Sequence, residues 1–221
     1  MSAIYSGKYN TEYRPHGTKP PWGAHDTLVL LSGGLDSAVL LWKERERAGL
    51  ALTWDYGQPN EREERVAAGR LAQAAGVSWS LDTVKVAGMD AMFAGSGEPG
   101  ARVVPARNLV LLAHAVNMGA SMGLRRIVFG ATRGDYEGYA DCRPEFVAEM
   151  DTLARRFGCV VEAPLSDLHK REVVRLGALL KCPMDLSWSC YRPKPVTREA
   201  CGACNACVER DRALAEANDP S

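Results

Sequence analysis

Apolar and polar positions along this chain fall into blocks of two alternating kinds. Thr27 to Leu31 is short, continuously apolar and β-branched at its start, as a strand buried on both faces of a parallel sheet would be. Asp36 to Ala48 carries Val39, Leu40, Leu41 and Trp42, then the charged group Lys43 to Arg47, and predicts a helix stopped by Gly49. Leu50 to Trp54 reads as a second strand. Asn60 to Ala75 reads as a helix whose early glutamates, Glu61, Glu63 and Glu64, suit the positive end of its dipole. A third strand is expected near Ser78 to Val84. Asn108 to Met122 predicts a helix with Leu109, Leu112, Ala113 and Val116 on one face, followed by a buried strand from Arg126 to Gly130. Phe146, Met150, Leu153 and Phe157 fall at helical spacing within Arg143 to Phe157, as core residues do. Val173, Val174, Leu176, Leu179 and Leu180 mark one more helix before Pro183.

This alternation from residue 27 to about residue 180 predicts an α/β fold, an open, mostly parallel, doubly wound sheet with helices on both faces. Ligands in such folds bind at the carboxyl ends of the strands, so the loops after Leu31, Trp54 and Gly130 are expected to converge. Residues 1–25 are polar and rich in Gly, Pro and Tyr, and read as a flexible arm before a nucleotide- and substrate-binding domain over 26–183. Met89 to Arg102 matches no pattern and is expected to form a mobile flap.

Composition narrows the function. Lys plus Arg and Asp plus Glu are 27 each, so no global field recruits nucleic acid or an anionic membrane. No stretch has the length of a membrane span and the first 25 residues lack the apolar core of a signal sequence, so a cytoplasmic protein is expected. Four of the seven cysteines lie in the spacing Cys190-x10-Cys201-x2-Cys204-x2-Cys207, within residues 184–221. Four thiolates with two tight spacings match a tetrahedral structural Zn²⁺, and four-cysteine sets also hold iron–sulfur clusters. Cys142, Cys159 and Cys182 read as ordinary buried thiols.

The candidate chemistry begins at SGGLDS, residues 32–37, between the first strand and first helix. Backbone N–H groups of Gly33, Gly34 and Leu35 at a helix N-terminus, with the hydroxyls of Ser32 and Ser37, make a cradle for phosphate. A Walker loop has lysine where Asp36 stands, and an acidic residue beside phosphates suggests a bridging Mg²⁺. Asp55, Tyr56, Gly57 and Gln58 follow the second strand, a position suited to adenine and ribose. Pro105 to Asn108 enters a helix; Asn108 reads as an N-cap, whereas Arg107 suits a phosphate or a substrate carboxylate. Gly130 to Phe146 is dense in carboxylates and aromatics, among them Asp135, Tyr136, Tyr139, Asp141 and Arg143, and suits a polar heterocycle. Lys170 lies near the positive end of a helix, where an anionic partner would account for it.

Together these pieces resemble the 7-cyano-7-deazaguanine synthase family of the PP-loop ATP pyrophosphatase group. The resemblance spans about Thr27 to Arg210 and rests on SGGLDS, DYGQ at Asp55, Arg107-Asn108, DYEGYADCRPEF at Asp135, Lys170, SWSCY at Ser187 and CGACNAC at Cys201. It implies ATP-dependent conversion of 7-carboxy-7-deazaguanine with ammonia, first to an amide and then to a nitrile, assisted by Mg²⁺, in a homodimer that binds no nucleic acid. By the same resemblance Ser32, Gly33, Gly34, Asp36 and Ser37 bind pyrophosphate and Mg²⁺. Lys170 and Arg107 offset negative charge, with Asp36 completing the catalytic set. Asp135, Tyr136, Tyr139, Asp141 and Arg143 face the deazaguanine, and the four cysteines hold a structural zinc. Pro59-Asn60 replaces the Arg-His that usually follows DYGQ. Rival readings are an enzyme that stops at the amide, a tRNA-thiolating relative using Cys142, and a zinc-ribbon binding module.

Overall fold

The computed structural model describes residues 25–87, 104–191 and 193–217. The expected arm, His25 excepted, and the flap expected over Met89 to Arg102 lie outside the described residues. Strands β1 (Thr27–Leu30), β2 (Ala48–Asp55), β3 (Trp79–Thr83), β4 (Arg126–Val128) and β5 (Val160–Glu162) form one sheet in the order β3-β2-β1-β4-β5. Every neighbouring pair is parallel. The helices are α1 (Leu35–Glu44), α2 (Glu61–Ala75), α3 (Arg107–Met122), α4 (Pro144–Arg155), α5 (Lys170–Leu179) and α6 (Asn205–Ala217).

Successive strand side chains go to opposite faces, and both faces are covered. Leu28, Leu52 and Ile127 pack with Leu112, Val116 and Met150 of α3 and α4. Val29, Ala51 and Val128 pack with Val39, Leu71 and Val173 of α1, α2 and α5. This is the doubly wound sheet expected from the alternation, and its strand order reverses between β1 and β4, opening a crevice at their carboxyl ends. The C-terminal helix α6 docks Ala213 and Leu214 against Leu35 and Val174, beside that crevice. Among the described residues no helix is long and apolar enough to cross a membrane.

Several boundaries differ from expectation. Helix α1 ends at Glu44, and Gly49 is inside β2, where an added Cβ would lie 2.5 Å from the His25 carbonyl oxygen and 2.6 Å from Leu124 Cδ2. Glycine is there because the backbone passes too close for a side chain, not because a helix stops. Glu44 turns inward and pairs with Arg126 of β4, which also reaches Glu162 at 2.6 Å. In α3 the buried stripe is Leu111, Leu112, Ala115, Val116 and Gly119. Leu109 in the first turn is exposed, as is Ala113, about 100° around from Leu112. In α4 the stripe runs from Phe146 through Met150 to Ala154, so Leu153 sits off it, and Phe157 lies past the helix end. Both of these expected core residues are exposed.

Candidate active site

The loop between β1 and α1 closes on itself. Ser32 Oγ and Ser37 Oγ share a hydrogen bond of 3.0 Å, the Gly34 N–H donates to Ser32 Oγ, and Ser37 Oγ donates to the Gly34 carbonyl. Gly33 has φ +83°, and a Cβ there would stand 2.4 Å from the backbone oxygen of Glu64. Gly34 precedes α1 without a side-chain cap, which leaves the N-terminal N–H groups of that helix for an anion. Asp36 Oδ2 pairs with Lys170 Nζ, from the first turn of α5. Its other oxygen, Oδ1, is buried and has no partner. Burial raises the Asp36 carboxyl above the ordinary carboxylate range, against the pull of Lys170. A buried lone carboxylate oxygen beside an anion cradle fits a divalent cation, to which Asp36 would supply an oxygen ligand.

Above the loop lies a crevice with one lobe of about 310 Å³ over the cradle and one of about 820 Å³ extending to α6. Tyr56, Glu64, Arg107, Asp135, Tyr139 and Lys170 line both. Such volumes suit a nucleotide and a small heterocycle. The Arg107 guanidinium lies over the Tyr56 ring at 5.7 Å, a cation–π distance. Burial pushes the Tyr56 phenol up to about 12, so it presents a neutral hydroxyl. Burial opposes the charge on Arg107, but its neighbours, Asp141 among them, more than restore it. Ala106, just before it, is held at φ +56°, an outlier for a residue with a Cβ and a mark of local strain at the crevice.

The four cysteine sulfurs of residues 190, 201, 204 and 207 all lie within 4.8 Å of one another. The Cys201 N–H donates to Cys190 Sγ and the Cys204 N–H to Cys201 Sγ, each at 3.3 Å, the arrangement that favours thiolates. Backbone donors at Ala203 and Cys204 bring Cys201 down to about 6, while burial pushes Cys207 up to about 12. A closed set of four sulfurs fits a structural zinc. This cluster is tied to the cradle: the Trp188 N–H donates to the Gly33 carbonyl at 2.8 Å, and Trp188 Nε1 donates to the Cys190 carbonyl at 2.8 Å.

A model of the family described as queuosine biosynthesis protein QueC matches residues 26–218. The chain belongs to the QueC family. The 7-cyano-7-deazaguanine synthase of Novosphingobium aromaticivorans is 40% identical over 211 residues, which is 86% of this chain and 90% of that one. That of Porphyromonas gingivalis is 35% identical, covering 88% of this chain and 94% of its relative. A more distant likeness is the solved NMN synthetase of Francisella tularensis, 15% identical, with a TM-score of 0.48 over 90% of this chain and 80% of that structure.

In this QueC chain the expected residues divide into those that face the crevice and those that support it. Ser32, Gly34, Leu35, Asp36, Ser37, Tyr56, Gln58, Arg107, Asp135, Tyr139 and Lys170 line it. Gly33 packs its backbone against α2 instead. Asp55 accepts from the Gly57 N–H, and Gln58 closes the same turn by bonding both Tyr56 and Trp54 backbone. Asp141 accepts from the Asn108 N–H at 2.8 Å, so it caps α3; Asn108 itself is inside the helix and donates to Asp141 and Cys142. Tyr136 donates to the Ser166 carbonyl and Arg143 to the Tyr136 carbonyl, holding the loop that carries Asp135 and Tyr139. Asp135 spends one oxygen on the Thr132 N–H and hydroxyl, in a capping box. Cys142 borders the cradle lobe, and burial with Asp135 and Asp141 pushes its thiol up to about 12, a poor nucleophile.

The sequence reading missed Glu64, Tyr191 and Glu209, which all line both lobes. Glu64 was hidden in a run of charges. The signal that separates it is its place three, four and seven residues before Ala67, Ala68 and Leu71, on the buried stripe of α2.

Proposed function

We propose that this protein is an ATP-dependent ligase that converts 7-carboxy-7-deazaguanine and ammonia to 7-cyano-7-deazaguanine through acyl-adenylate and amide intermediates. The observation that carries this reading is the uncapped SGGLDS cradle opening, with Asp36 and Lys170, into the same crevice as Arg107 and the Asp135–Tyr139 loop. Curated relatives over most of the chain bear that name.

The chemistry requires such a site. A carboxylate oxygen cannot leave as oxide, so it attacks the α-phosphorus of ATP and displaces pyrophosphate, which the cradle receives. Ammonia then displaces AMP to give the amide. The amide oxygen is adenylated in turn, and loss of AMP with two protons leaves the nitrile. Mg²⁺ at Asp36 Oδ1 would shield the triphosphate charge. Lys170, kept cationic by Asp36 although burial opposes it, faces the same phosphates. Tyr139 and Asp135 offer an aromatic face and a free carboxylate oxygen to the deazapurine. Cytoplasmic residence and a homodimer belong to the same reading, and light scattering checks the dimer.

The test is to incubate purified protein with ATP, Mg²⁺, ammonium and 7-carboxy-7-deazaguanine and follow the substrate mass. The expected end point is the nitrile with two AMP released per product. An end point at the amide would restrict the activity to the first half, and no AMP would overturn the reading.

A further inference from the structure

Glu64 has a setting that no other crevice carboxylate shares. Gln58 Nε2 donates to its Oε2 at 3.0 Å and Asn60 Nδ2 to its Oε1 at 2.9 Å. Neither amide can turn round: Gln58 Nε2 also donates to the Trp54 carbonyl while its Oε1 accepts from Tyr56, and Asn60 Nδ2 also donates to the Cys190 carbonyl. Both oxygens therefore meet N–H donors, the environment of an ionised carboxylate, yet neither donor carries a charge. Asp36 is neutralised by Lys170, Asp135 bonds Thr132 through one oxygen only, and Glu209 on α6 is exposed and lies in the field of Lys170. Of these four, Glu64 is the one that is partly buried, open to the crevice and meets a neutral N–H donor at each of its two carboxylate oxygens.

The ligase reading needs a group of this kind. Its nitrogen source is ammonium at neutral pH, and ammonium has no lone pair with which to attack an acyl adenylate. We propose that Glu64 is the ammonium site, its carboxylate binding NH₄⁺ and taking one proton from it to release NH₃ beside the adenylated carbon. Nitrogen then forms the C–N bond, the bond from carbon to the phosphate oxygen breaks, and AMP leaves with that electron pair. The second surplus proton of the adduct passes to water, and Glu64 returns its proton to solvent. The inference rests on the ligase reading.

The surrounding charges fit. Arg107 from α3 faces Glu64 and opposes retention of a cation, so it favours transfer over mere binding; Glu61 on α2 and the Tyr56 hydroxyl are the other ionisable groups that face it. Burial lifts the Glu64 carboxyl from an ordinary 4.5 to about 7, against the two amide donors. A base so placed works in its ionised form, so turnover with ammonium should rise as pH passes upward through about 7. The Asn60 amide cannot transfer a proton; it orients the neighbour that can.

The experiment compares wild-type enzyme with Glu64→Gln and Glu64→Asp in three reactions. Exchange of pyrophosphate into ATP with 7-carboxy-7-deazaguanine and no nitrogen source reports adenylation alone. Amide formation from ammonium reports the proposed step. Hydroxamate formation from hydroxylamine, which is unprotonated at neutral pH, bypasses it. For Glu64→Gln the expected results are exchange and hydroxamate rates within about threefold of wild type and an ammonium reaction slowed about 10²-fold or more. Its rate per free ammonia should also lose the rise through pH 7, and Glu64→Asp should regain part of both. Equal losses in all three reactions would show a merely structural role and overturn the proposal. So would an unchanged ammonium reaction. Absence of exchange in the wild type would instead remove the ligase reading on which the proposal stands.

Discussion

Gly33 and Gly34 are adjacent and alike in sequence, but their backbones place different demands on them. Gly33 is left-handed at φ +83° with the Glu64 backbone oxygen 2.4 Å from where a Cβ would be, whereas at Gly34 the nearest atoms are Ser32 Oγ at 3.3 Å and the Trp188 carbonyl at 3.7 Å. Gly33→Ala should therefore cost about 2–3 kcal/mol, read as a fall of roughly 5–10 °C in thermal denaturation. Gly34→Ala should stay within about 1 kcal/mol of wild type in the same measurement. Equal effects would mean that the cradle relaxes around Gly33. Cys142 allows a second contrast. Its thiol is held up to about 12 and accepts from Asn108 Nδ2 at 3.3 Å, so it is a packing residue of the DCRPEF loop and not a sulfur carrier. Cys142→Ala should keep at least about half of the wild-type rate of AMP release, losing only the packing of a small side chain. A fall of a hundredfold would revive the thiolating reading.

Charged side chains within elements carry information that periodicity does not reveal. Lys43 to Arg47 reads only as a charged group before a helix stop, but Glu44 is 7% exposed and meets Arg126 of β4, itself 9% exposed. Removing one partner leaves the other buried and unpaired, which costs about 3–5 kcal/mol, so Arg126→Met should lower the melting temperature by roughly 10 °C. A double variant with Glu44→Gln should recover part of that loss; failure to recover any would mean that Glu162 carries the pairing. The elements themselves were largely legible. Strands β1 and β2 are central and buried on both faces, so they read as continuous apolar runs, and the helices announce themselves by length and by Gly76, Gly123 and Pro183 after them. β5 was not seen, because three residues with a single fully buried position give no period to read. The wrong residues of α3 and α4 have one cause: Leu109, Ala113, Leu153 and Phe157 are apolar, and composition alone cannot say which apolar side chains a sheet will cover. The site was legible as loops and not as contacts, since SGGLDS, Arg107 and Lys170 stand at strand-to-helix junctions while Glu64 is recognisable only once its helix face is known.

The four-cysteine cluster and the SGGLDS cradle, far apart in sequence, meet through a short chain of bonds, and this makes the C-terminal segment part of the crevice end of the fold. Cys190 belongs to the sulfur cluster, its carbonyl receives Trp188 Nε1 and Asn60 Nδ2, and the Trp188 backbone N–H clamps the Gly33 carbonyl of the cradle. Arg210 of α6 adds a second tether, donating to the Ser187 and Met184 carbonyls. With no metal, four thiols this close would move apart, because they would lose the ion that draws their sulfurs together and retain only weak S–H donors. The segment carrying Trp188 would then lose its anchor, and with it the register of Gly33. Treatment with a strong chelator should therefore lower the melting temperature and weaken ATP binding by at least about tenfold, roughly 1.4 kcal/mol, with recovery on adding Zn²⁺ but not Mg²⁺. Cys204→Ser should do the same without chelator, since Cys204 touches only the cluster side of the crevice. Calorimetric titration of ATP into stripped and reconstituted protein decides the matter. Equal affinities would mean that the cradle holds its shape through the Ser32–Ser37 bond and α1 alone, and that the zinc segment only covers the site.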